Sequence, residues 1–68
     1  MLEEKVIDAL KNLKSATFEE LREYLREEKN EEFLDIELRR TLARLVREGK
    51  VEKTPDPRKN KFLFSIRN

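Results

Sequence analysis

The sequence predicts a small, mainly helical α+β domain: three helices followed by a two-stranded β-hairpin. Three observations lead there. Apolar residues recur at helical spacing in three separate stretches. A lone glycine, Gly49, follows the third stretch as a left-handed stop. Beyond it, Phe62, Phe64 and Ile66 alternate at the period of a strand. Sixty-eight residues make one domain, residues 1–68, with a core that must be well packed to be stable.

The first helix is predicted over Leu2 to Lys14, where Leu2, Val6, Ala9, Leu10 and Leu13 form one stripe and Ile7 sits beside it. Ser15-Ala16-Thr17 breaks that pattern. Thr17-Phe18-Glu19-Glu20 reads as a capping box, with the Thr17 hydroxyl on one orphan amide and Glu20 reaching back. Phe18, Leu21 and Leu25 then share a face, so a second helix runs from Phe18 to about Glu28. Asn30 to Leu34 is a connection. The third helix takes Asp35 as its cap and buries Leu38, Leu42, Leu45 and Val46; Asn30 is a rival start. Lys50 to Lys53 reads as a short strand. Thr54-Pro55-Asp56-Pro57 must turn, since neither proline can donate to a ladder. The loop continues through Lys61, and Phe62 to Ile66 forms the second strand. Phe18, Phe62 and Phe64 are expected in the core, Tyr24 half-exposed.

Composition narrows the function. There is no Cys and no His, so disulfides, thiolate metal sites and the commonest acid–base group are missing, and no cofactor or metal is expected. Ser15 and Ser65 have no histidine to activate them, and Gly49 alone makes no phosphate-cradling loop. The chain reads as a non-enzyme. Its longest apolar run, Phe62-Leu63-Phe64, spans no membrane, and Met1 to Lys5 carries no signal region, so a cytoplasmic location is expected. A charged fraction of 46%, with no Gln, suits a thermophile.

Charge is split along the chain. Leu38 to Asn68 holds ten Lys/Arg against three Asp/Glu, a net of +7; Met1 to Glu37 holds six against twelve, a net of −6. A domain so polarised suits a polyanion on one face. On the third helix, Arg40, Arg44 and Arg47 lie opposite Leu38, Leu42 and Leu45, with Ala43 beside them and Arg39 on the flank. Arginine's planar fork suits phosphate and the O6/N7 edge of guanine. In the hairpin, Arg58, Lys59 and Lys61 project on a loop, with Lys53 nearby. Two plainer readings stand beside this one. The helix face is a solvated surface with Glu37 paired to Arg40 or Arg44. The loop is a lysine-guarded edge.

The run from Leu38 to Val51, with the Arg47-Glu48-Gly49 stop, resembles the recognition helix and first wing strand of the winged helix-turn-helix family. Ala16 to Leu21 resembles that family's short entry strand and second helix. The layout is also similar to the globular domain of linker histones, and it shares the winged motif with regulators of the MarR and ArsR types. The resemblance implies a recognition helix over Ile36 to Glu48 in a major groove and a wing tip over Thr54 to Lys61 on the backbone. It therefore implies double-stranded DNA as partner, in transcription regulation or chromosome organisation, at the nucleoid. Glu31, Glu32, Asp35 and Glu37 depart from the pattern, since they crowd the start of the recognition helix and argue against its deep insertion. A different-class alternative is a protein-interaction module using the acidic half, Glu19 to Glu37. A monomer or weak homodimer is expected.

Overall fold

In the computed structural model, which describes residues 1–68, three helices pack on one face of a three-stranded antiparallel sheet. Helix α1 spans Leu2–Leu13 and strand β1 spans Ser15–Ala16. Helix α2 covers Phe18–Glu23 and continues as a π-helical turn over Tyr24–Glu28. Helix α3 covers Asp35–Arg47, and strands β2 and β3 cover Val51–Asp56 and Lys61–Ile66.

Each helix ends for a local reason. Lys14, expected inside α1, is instead its cap, with φ 74°. The capping box of α2 forms as expected: Thr17 Oγ1 accepts from the Glu20 amide at 3.2 Å, and Glu20 Oε1 accepts from the Thr17 amide at 2.9 Å. The π turn shows in the Lys29 amide, which donates five residues back to the Tyr24 carbonyl. Asn30 then turns left-handed, with φ 56°, so it closes the second helix and does not open the third.

Asp35 is not the cap of α3 but its first residue; Leu34 holds the cap position, and Glu37 Oε1 accepts from the Leu34 amide at 2.8 Å. At the other end the Gly49 amide donates to Val46 O and the Lys50 amide to Leu45 O. That pair of bonds is the Schellman closure, and it places Gly49 at φ 79°.

The short entry strand that the resemblance implies at Ala16 is β1, and it pairs with β3 (Ala16 opposite Phe64), so the hairpin joins a sheet of order β1-β3-β2. One expectation is corrected: the chain does not turn at Thr54-Pro55. Strand β2 runs on to Asp56, with Pro55 opposite Phe62 and Asp56 opposite Lys61. Proline is tolerated there because β2 is an edge strand with one side free of ladder bonds. The turn is Pro57 to Asn60: Asp56 O accepts from the Lys59 amide, and Asp56 Oδ1 accepts from the Arg58 amide at 3.1 Å. The wing tip is therefore shorter than expected, and its strands are longer.

The core joins Val6, Ala9 and Leu10 of α1, Leu21 and Leu25 of the second helix, and Leu38, Leu42 and Leu45 of α3 to Ala16, Val51 and Phe64 of the sheet. Val46 and Ile66 pack at its margin, as do Ile7, Phe18, Tyr24 and Phe33. Phe62 does not reach it. It shares a strand face with Phe64, but it faces an open groove beside Phe18 and α3 rather than the closed core, and it is 50% exposed. No helix is long and apolar enough to cross a membrane.

Candidate nucleic-acid interface

Helix α3 buries Leu38, Thr41, Leu42 and Leu45, which leaves Arg40, Ala43, Arg44 and Arg47 in solvent. The nine residues singled out in the sequence are thus all at the surface, but their surroundings differ. Arg44 donates to Glu3 Oε1 of α1 at 2.9 Å, and Lys50 approaches the other Glu3 oxygen at 3.4 Å. Lys61 is bonded to Glu19, and Lys59 lies 3.7 Å from Glu20. Arg44, Lys59 and Lys61 therefore meet carboxylates of this same chain. Arg39 lies over the Phe18 ring, 4.2 Å from its centre, and Lys53 lies over Phe62 at 4.3 Å. Arg40, Arg47 and Arg58 have no acidic partner within 4.0 Å.

Those ion pairs lower carboxyl pKa values. The hydrogen bond from Arg44, then that from Lys50, holds Glu3 below the ordinary glutamate range. The Lys61 bond does the same to Glu19. For Glu20 the leading cause is the amide of Thr17.

The acidic start of α3 is handled internally too. Asp35 accepts from Arg22 at 3.0 Å and from Arg26 at 2.8 Å. Partial burial pushes its carboxyl up, but the bonds from Arg26 and Arg22 outweigh that and leave it below the usual aspartate range. Glu37 is turned onto the Leu34 amide rather than toward Arg40 or Arg44, and Glu31 meets Lys5 at 3.3 Å. Glu32 alone of the four has no such contact. The field at this end of α3 is therefore weaker than the sequence suggests, and the objection to its approach to phosphate loses force.

Between α3 and the wing lies an open groove of about 530 Å³. Its floor is Phe18, Leu42, Ala43, Val46, Phe62 and Phe64, and Arg39, Lys53 and Lys61 stand at its edge with Glu19. The structure thus gathers four candidates, Arg39, Ala43, Lys53 and Lys61, around one concavity. Arg40, Arg44 and Arg47 lie outside it on α3, and Arg58 lies in the turn of the wing.

Two surface residues are not evident from the sequence. Alternation assigns Phe62 to the core, and nothing in the sequence shows that a groove stays open between it and α3. Ile36 is 49% exposed on α3. Its spacing from Arg40, Ala43 and Arg47 is the available signal, since the four fall on one helical stripe.

Two solved structures align with this arrangement of helices and sheet. Mutant MarR from E. coli, with serine in place of a cysteine and complexed with operator DNA, superposes over 96% of the chain with a TM-score of 0.79 and 27% identity. The reduced form of MarR from E. coli also covers 96%, with a TM-score of 0.79 and 30% identity. The chain is a winged helix-turn-helix domain. Its α3 holds the place that the recognition helix has in that fold, and β2 and β3 form the wing. This winged helix spans 43% and 44% of the two MarR chains. No family model and no curated protein sequence matches it.

Proposed function

We propose that this winged helix binds double-stranded DNA, with the outward face of α3 in the major groove and the wing on the backbone, as the DNA-contacting part of a transcription regulator acting at the nucleoid. The observation that carries the reading is the pair Arg40 and Arg47. They share one exposed stripe of α3, and neither has an acidic partner within 4.0 Å. Free guanidinium groups on a helix that a groove admits are the chemistry that phosphate and guanine edges require. Arg58 extends the same unpaired charge to the wing tip. The operator DNA held by one MarR neighbour supports the choice of ligand.

Docking of a basic protein segment on Glu19 to Glu37 has one observation in its favour: Leu34 is 65% exposed beside acidic residues. Against it, Glu19, Glu20, Glu31 and Asp35 already contact cations of this chain. Fluorescence anisotropy with a labelled duplex separates the two readings. Wild type binds, and its affinity falls steeply between about 50 and 200 mM salt. An Arg40→Glu/Arg47→Glu variant that keeps its helical circular dichroism loses that binding. No binding by wild type at low salt, or equal affinity of the two proteins, defeats the proposal.

A further inference from the structure

Ile36, Arg40, Ala43 and Arg47 follow one another along the exposed side of α3, opposite the buried Leu38, Leu42 and Leu45. Three of these four fit a phosphate-bearing groove for plain reasons, since two are cationic and one is small. Ile36 is different. It is 49% exposed and stands outside the core cluster and the apolar residues packed around it. The fold does not need its side chain, and water does not favour it.

We propose that Ile36 reads a thymine, packing its exposed side chain against the C5-methyl group in the major groove. This inference rests on the DNA-binding reading and adds the base that α3 prefers. Three points carry it. Isoleucine has no donor or acceptor, so it cannot recognise a hydrogen-bonding pattern. The apolar group that a base pair presents in the major groove is the thymine methyl. Ile36 also lies in the first turn of α3, and the first turns of a helix-turn-helix recognition helix are those that reach base edges.

The carboxylates on either side do not oppose the contact. Asp35 is held by Arg22 and Arg26, and Glu37 is held on the Leu34 amide. Arg40, one turn along the same stripe, is free to bond a neighbouring base edge or phosphate. Ile36 thus confers a preference for A·T at one position, beside whatever Arg40 selects.

The test begins with duplexes enriched from a random pool by the wild-type protein. In an enriched duplex each thymine is replaced singly by deoxyuridine, which removes the methyl group and leaves base pairing intact. Affinity is read by anisotropy. At one or two positions, loss of the methyl weakens wild type about fourfold, the worth of one buried methyl group. Ile36→Ala binds the thymine duplex more weakly by at least that factor and no longer distinguishes it from the deoxyuridine duplex. Its unfolding midpoint stays near that of wild type, because the side chain is outside the core.

If wild type binds and every deoxyuridine duplex is bound as tightly as its parent, the thymine contact is overturned and DNA binding stands. The contact is equally overturned if Ile36→Ala keeps the full thymine preference. If wild type enriches and binds no duplex even at low salt, the DNA-binding reading falls, and this inference with it.

Discussion

Arg44 of α3 donates to Glu3 of α1 at 2.9 Å, across 41 residues of sequence. The pair ties the most basic helix of the domain to its first helix, and Lys50 shares the same carboxylate. A cation so engaged reaches phosphate only by exchanging one anion for another. Glu3→Gln should therefore raise duplex affinity by a small factor, at most about fivefold for an exposed pair, and should steepen the fall of affinity with salt. Anisotropy at two salt concentrations reads both effects. Weaker binding by Glu3→Gln would mean that Glu3 positions Arg44 for DNA rather than competing for it.

The wing and the helix should fail in different ways. Arg58→Ala and Lys59→Ala weaken binding to all duplexes alike and flatten the salt slope by about one unit per lost phosphate contact. Arg40→Ala changes which sequences are preferred, because the proposed docking places it at base edges. Lys59 is 3.7 Å from Glu20, so its loss should matter less than that of unpaired Arg58. Comparing enriched sequences across the three variants decides this.

Much of this architecture is legible in the residues, and the exceptions have physical causes. The Thr17–Glu20 box, the Gly49 stop and the buried Leu38, Leu42 and Leu45 are local signals, set by spacings of three and four residues, and each is present in the fold. By spacing alone Ser15–Ala16 reads as a break in a pattern, because two residues carry no period of their own; the family resemblance implies the strand, and pairing with Phe64 and Ser65 forms it. Pro55 reads as a turn because its edge position is a property of the sheet and not of the dipeptide. The candidate site is legible by residue type and illegible by partner. Charges at Arg44, Lys59 and Lys61 look free in the sequence, and Glu3, Glu20 and Glu19 come from helices whose placement decides otherwise.

Leu42 is 2% exposed in the centre of α3, between the other helices and the sheet. Leu42→Ala should cost on the order of 2–5 kcal/mol, a large part of the stability of so small a domain. The urea midpoint measures it, with Glu52→Ala as an exposed control. Equal midpoints would place α3 in another register.

Gly49 tests a backbone requirement without steric confusion. A Cβ built there meets nothing within 4 Å, yet φ is 79°. Gly49→Ala should therefore destabilise by about 1–2 kcal/mol through left-handed strain alone. Gly49→Asn should cost less, since Asn visits that region more readily.

Acid sensitivity follows from the carboxylates. Glu20 is lowered chiefly by the Thr17 amide, Glu3 by Arg44 and Glu19 by Lys61, so each binds fewer protons folded than unfolded. Their contribution is present above the ordinary carboxylate range and is lost as pH falls through the lowered values. Thermal midpoints should drop with pH in that window. Glu20→Gln keeps an acceptor for the Thr17 amide but cannot titrate, so it should blunt the drop while changing stability at neutral pH little. An unchanged pH profile would remove Glu20 as a source of the acid sensitivity.

The face that meets DNA is the central claim, and an amide chemical-shift map of the labelled protein under titration with a duplex tests it most directly. The expected shifts concentrate in α3 from Ile36 to Arg47 and in the wing turn from Arg58 to Lys61, with the outer face of α1 around Asp8 and Lys11 unmoved. Shifts centred on Glu27 to Glu32, with α3 and the wing silent, would contradict it.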